Sequence, residues 1–153
     1  MKLNLNNKFE AISFKGETGI FDLKTLLSFG EKTLLYFYPA DDTPGCTIEN
    51  KDFSCLKDEF AKKGIVVIGI SKDSIDSHKK FIKKQDLKVD LISDPDLVLH
   101  KELGVYGEKN NYGKKVMGVI RSSFLIDKNG EVLKEYRNIK ATGHAERLLK
   151  ELD

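Results

Sequence analysis

Thr33-Leu34-Leu35-Tyr36-Phe37-Tyr38 is an unbroken run of apolar and β-forming side chains, closed by Pro39. A strand with one wet face alternates, whereas a run without alternation is covered on both faces. The segment therefore predicts a central strand of a layered α/β sheet. Ile65-Val66-Val67-Ile68-Gly69-Ile70 has the same character, and Pro44 to about Lys63 predicts the helix between the two. Upstream, alternation from Lys8 to Phe14 predicts a strand. A turn at Lys15-Gly16, a short strand at Gly19-Ile20-Phe21 and a short helix from Leu23 to Phe29 follow. Downstream, Ile75, Phe81 and Ile82 fall at helical spacing between Ile75 and Lys84, Leu91-Ile92 predicts a short strand, and Asp96 to Leu103 another helix. Ser122 to Asp127 and Glu131 to Tyr136 predict a hairpin, because Asn129-Gly130 suits the φ > 0 positions of a tight turn. Gly143 to Leu152 closes the chain as a helix with Leu148, Leu149 and Leu152 on one side. Alternating strands and helices with a final hairpin predict an α/β class with a mixed central sheet flanked by helices on both faces.

The length of 153 residues suits one domain spanning 1–153. Charged residues make up 33% of the chain, which excludes a membrane span. The net charge of +2 is too small to imply a nucleic-acid partner, and only Arg121, Arg137 and Arg147 offer the bidentate side chain that phosphate recognition prefers. Two Cys are too few for a secreted disulfide scaffold, and Met1 to Lys8 holds no apolar run of a secretory signal, so a cytoplasmic address is expected. The three His lack metal-site spacing and no Cys-x-x-Cys occurs, so neither a metal nor another cofactor is expected. His78 reads with Ser77 to Lys84 as a solvated face. Tyr106, Tyr112, Lys114 and Lys115 read as a Gly-punctuated connector.

The chemistry concentrates where the first central strand ends and the next helix opens, the place where open α/β sheets bind ligands. Thr43 suits the N-cap and Pro44 the first helical position, which puts Gly45 and Cys46 second and third. Free N–H groups and the positive end of the helix favour an anion there, so the position lowers a thiol pKa. Asp41, Asp42, Glu49 and Asp52 act against ionisation, so a cation from elsewhere in the chain is required. Arg121, directly before the strand starting at Ser122, is the candidate, with Glu49 one turn beyond Cys46 as its orienting partner.

Pro39-Ala40-Asp41-Asp42-Thr43-Pro44-Gly45-Cys46 resembles the P-x-x-x-T-x-x-C signature of peroxiredoxins. Tyr38-Pro39, the run Thr43 to Glu49, the stretch Gly118 to Asp127 and Gly143-His144-Ala145 are similar to the bacterioferritin comigratory protein (peroxiredoxin Q) group. The N-terminal segment departs from it by lacking an Ala-Pro-Asp-Phe start. The resemblance implies a thioredoxin-like fold and reduction of hydrogen peroxide or organic hydroperoxides. It makes Cys46 the peroxidatic thiol, Thr43 and Arg121 its polar supports, and Pro39 its shield, with Gly45 supplying a backbone donor. The product is a Cys46 sulfenic acid that a second thiol reduces.

Lys51 occupies the place where members of that group often carry a resolving Cys, and the other thiol is Cys55, nine residues beyond Cys46. On one helix the two stand roughly 13.5 Å apart and on opposite sides, so a bond between them needs the helix to unravel. Cys55 borders a stripe of Ile48, Phe53, Leu56 and Phe60 and is expected to be a packed, inert core thiol. That favours a one-Cys peroxidase served by a thioredoxin, a glutaredoxin or a low-molecular-weight thiol, working as a monomer or weak homodimer. A resolving role for Cys55, a disulfide oxidoreductase and a thioredoxin-fold redox sensor are the alternatives.

Overall fold

The computed structural model describes residues 1–111 and 113–152. Its elements in chain order are β1 (Lys8–Ile12), β2 (Thr18–Asp22), α1 (Leu23–Leu26), β3 (Lys32–Phe37), α2 (Pro44–Ala61), β4 (Ile65–Ser71) and α3 (Ile75–Gln85). They continue as β5 (Asp90–Ser93), α4 (Val98–Glu102), β6 (Tyr106–Asn111), β7 (Lys114–Val119), β8 (Ser122–Asp127), β9 (Val132–Tyr136) and α5 (His144–Glu151). Seven strands form one sheet in the order β2-β1-β5-β4-β3-β8-β9. β3, β4 and β5 pair in parallel, and β8 joins β3 antiparallel, which makes the sheet mixed.

The two apolar runs occupy the middle of this sheet because successive side chains leave it on opposite faces and both faces are covered. On one face Leu34, Tyr36, Tyr38 and Val67 pack with Phe53 and Phe60 of α2, Phe81 of α3 and Leu148 of α5. On the other, Leu35, Phe37, Ile68 and Ile70 meet Leu23 and Leu26 of α1 and Leu99 of α4. The crossovers β3–α2–β4 and β4–α3–β5 thus share one face. The fold is the expected thioredoxin-like arrangement, with helices on both sides of a mixed sheet.

Three expectations need correction. The stretch containing Tyr106, Lys114 and Lys115 is a hairpin of β6 and β7, paired from Tyr106↔Val119 to Asn111↔Lys114, with Tyr112 outside the described residues. The hairpin has no buried face that would impose alternation, since β7 is exposed or half-buried up to Val119, its one buried residue. At the β8–β9 turn Gly130 alone takes a positive φ, and Asp127 N donates to Glu131 O while Gly130 N donates to Asp127 O. That is a type I turn followed by a glycine bulge, in which Asn129 keeps φ < 0. His78 is buried, not solvated, because it shares one face of α3 with Phe81 and Ile82.

Candidate active site

The loop after β3 and the first turn of α2 present Cys46 beyond the carboxyl end of that central strand. Thr43 is the N-cap by backbone conformation, with φ −95° and ψ 155°, and Thr47 N closes the first helical bond to its carbonyl. Its hydroxyl does not cap; it donates to Ala40 O at 2.9 Å. The N–H groups of Gly45 and Cys46 belong to the first turn, where no intrahelical acceptor exists. The Thr43 hydroxyl does not engage them, and they contribute to the positive end of the helix in the turn that carries Cys46. Cys46 itself is only 2% exposed.

Strand register explains how Arg121 reaches this place. β3 and β8 pair with Tyr36↔Ser123 and Phe37↔Ser122, so one step further along the ladder Arg121 stands across from the start of the Cys46 loop. Its carbonyl accepts from Ile139 N at 3.0 Å, which anchors the backbone. The guanidinium spans two groups of α2. Nη2 contacts Cys46 Sγ at 3.3 Å and Nη1 donates to Glu49 Oε1 at 2.5 Å. A Cβ at position 45 would stand 3.3 Å from that Nη2, so glycine there gives the guanidinium its close approach.

Glu49 is wholly buried, and burial first, opposed by Arg121 and reinforced by Asp52, pushes its carboxyl up to about 7. Burial works against the charge on Arg121, yet Glu49 and Cys46 together hold its pKa above the usual arginine value. Pro39, half-buried where the chain leaves β3, offers no N–H to compete at the site.

Several residues of the site's frame carry no signature in the sequence. The Asn50 side chain donates to Cys46 O at 2.9 Å and accepts from the Tyr36 hydroxyl at 2.6 Å, which ties the first turn of α2 to the central strand. Asp41 accepts from the Tyr38 hydroxyl at 2.6 Å and the Ser77 hydroxyl at 2.7 Å, and lies 2.7 Å from His78 Nδ1. Its own N–H donates to Asp73 Oδ2 at 2.8 Å. The loop is thereby pinned to α3, and Asp41 serves as an anchor instead of a charge free to oppose the thiol. His144 pairs with Ser123 Oγ at 2.8 Å, and burial, aided by Arg147 and Arg121, pushes it down to about 4.

Cys55 is not the packed core thiol expected; it is exposed. The helix α2 is continuous from Pro44 to Ala61, so both cysteines ride on one rigid rod. Phe53 and Phe60, seven and fourteen residues after Cys46, share its buried face, while Ile48 of the supposed stripe is 44% exposed. Among the described residues no group of three His, Cys, Asp or Glu could hold a metal ion, and no helix is long and apolar enough to cross a membrane.

Comparison with known proteins places this geometry among relatives. Residues 5–135 match the AhpC/TSA family. The chain is 44% identical over 152 residues to a putative peroxiredoxin bcp of Helicobacter pylori, with 99% of each chain covered. It is 38% identical over 156 residues to peroxiredoxin Bcp of Bacillus subtilis, covering 99% of this chain and 96% of that one. Among solved structures, the bacterioferritin comigratory protein of Xanthomonas campestris, studied for its alkyl peroxide reduction activity, superposes with a TM-score of 0.83 at 38% identity, covering 97% and 90% of the two chains. A cysteine-to-serine variant of PrxQ from Xylella fastidiosa superposes at 0.86 with 34% identity, covering 99% and 92%.

Proposed function

Because this chain belongs to the AhpC/TSA family and is a peroxiredoxin, a thiol peroxidase, we propose that Cys46 is the nucleophile that takes one oxygen from the peroxide. The observation that carries this reading is the Arg121 Nη2 contact, 3.3 Å from the sulfur of a buried Cys46 at a helix N-terminus. The sulfur attacks one oxygen in line, the S–O bond forms, the O–O bond breaks, and charge grows on the departing oxygen. Donors aimed at that charge lower the barrier, and they are the Arg121 guanidinium and the first-turn N–H groups of Gly45 and Cys46. Thr43, whose proton is engaged by Ala40 O, has lone pairs left to accept the peroxide's O–H. Pro39 keeps water out without adding a competing donor. Its substrates are hydrogen peroxide and organic hydroperoxides, in line with the alkyl peroxide reduction activity of the Xanthomonas campestris relative.

The sulfenic acid on Cys46 is then reduced by an external thiol, from a thioredoxin, a glutaredoxin or a small thiol, so the cycle is of the one-Cys type. An unbroken α2 separating Cys46 from Cys55 supports this. The exposure of Cys55 favours, as second reading, a disulfide between two copies over one within the chain. The whole span 1–153 works as one domain, as a monomer or weak homodimer. A cytoplasmic address follows from the low cysteine content, two in 153 residues. Peroxide consumption with excess reductant tests the assignment. Turnover is expected from the wild type and none from Cys46→Ser, and turnover by Cys46→Ser would refute it.

A further inference from the structure

One guanidinium serves two acidic groups on the same face of α2. Cys46 and Glu49 lie one turn apart, and Arg121 reaches Sγ with Nη2 and Oε1 with Nη1. The other carboxyl oxygen, Oε2, is buried and has no hydrogen-bond partner. An anion with half its acceptors unmet in an apolar interior is costly, and a neutral acid is much less so. Two anions on one cation would also leave the buried site with an excess negative charge. Among the described residues, Arg121 is the cation that bears on Glu49. Asp52 on α2 adds negative potential, Tyr36 of β3 gives its hydroxyl to Asn50, and His144 of α5 is held neutral at working pH.

We propose that Glu49 is the proton store of the peroxide step: Cys46 and Glu49 share one proton beside Arg121, which rests on the Glu49 carboxyl while the sulfur is anionic and leaves it when the sulfur is oxidised. The proposal rests on Cys46 being the nucleophile. Before reaction the site holds a thiolate, a guanidinium and a carboxylic acid. The thiolate gives two electrons to the peroxide, the S–O bond forms, the O–O bond breaks, and the departing oxygen takes one proton to become water or an alcohol. The sulfur no longer carries charge, so Glu49 gives up one proton and its carboxylate takes the guanidinium alone. One proton is released and one is consumed, so cleavage draws none from solvent. Burial of Glu49 pushes its carboxyl to about 7, which sets this exchange in the working range.

The test counts protons. Reduced protein in weak buffer just above neutral pH receives one equivalent of hydrogen peroxide, with an indicator dye reporting pH and intact mass reporting oxygen gain at Cys46. Wild type is expected to gain one oxygen with little net proton uptake, and Glu49→Gln to take up about one proton per Cys46 oxidised. Uptake of about one proton by the wild type, or none by either form, would overturn the proposal. Absence of any oxygen on Cys46 would instead refute its assignment as nucleophile. Infrared difference spectra of the wild type supply a readout that needs no variant. The C=O band of a protonated carboxylic acid should vanish on oxidation and be missing throughout in Glu49→Gln, and an unchanged carboxyl region overturns the proposal.

Discussion

The first turn and the middle of one helix treat their cysteines in opposite ways. At the first turn of α2, Cys46 is buried, touched by a guanidinium from β8's leading edge and tied through Asn50 to Tyr36. Nine residues on, Cys55 stands in solvent. Access alone would make Cys55 the reactive thiol. Charge complementarity and backbone donors make it Cys46, and the contrast teaches that reactivity here is assembled by strand register, which brings residue 121 to the end of β3.

Removing the guanidinium's planar fork strikes the contrast hardest. Arg121→Lys should slow single-turnover oxidation of Cys46 by about 10- to 100-fold, since a point charge cannot hold sulfur and carboxylate together. Stopped-flow kinetics against hydrogen peroxide would show it. Next comes the clamp on the first turn. Asn50→Ala leaves the Tyr36 hydroxyl buried without its acceptor and should cost about 1–3 kcal/mol, read from urea unfolding.

The pH dependence of stability separates the groups around Arg121. Glu49 keeps its proton in the folded state up to about 7 against an ordinary value of 4.5. The folded state then binds more protons than the unfolded one in that window, and stability falls as pH rises through it. Glu49→Gln should therefore gain on the wild type across that range, by about 1–3 kcal/mol. His144 works oppositely, because its folded value of about 4 lies below 6.5 and stability is lost as pH falls between them. Urea midpoints at several pH values would resolve both slopes. The smallest effect is expected at the exposed thiol, where Cys55→Ser should keep nearly full turnover with a small-thiol reductant, measured in steady state.

Much of this was legible in the chain. The two non-alternating runs place the central strands, and the spacing from Pro39 to Cys46 with Arg121 names the residues that the fold brings together. What the sequence hid depends on three-dimensional partners. Asn50 and Tyr36, or Asp41 and His78, meet across elements, and no local pattern announces a hydrogen bond between a helix and a strand. The exposure of Cys55 is written in the helical spacing. At roughly 100° per residue, Cys55 stands about 200° from Phe53, whereas Cys46 falls within about 20° of it. Following Phe53 and Phe60 instead of Ile48 puts the buried face under Cys46 and turns Cys55 outward.

The most direct measurement is site mapping of the first oxidation. Reduced protein is treated with one equivalent of hydrogen peroxide beside a sulfenic-acid trap and digested for mass spectrometry. The adduct is predicted on the buried Cys46, with Cys55 left as free thiol. An adduct that forms first on Cys55, or equally on both, would contradict the account.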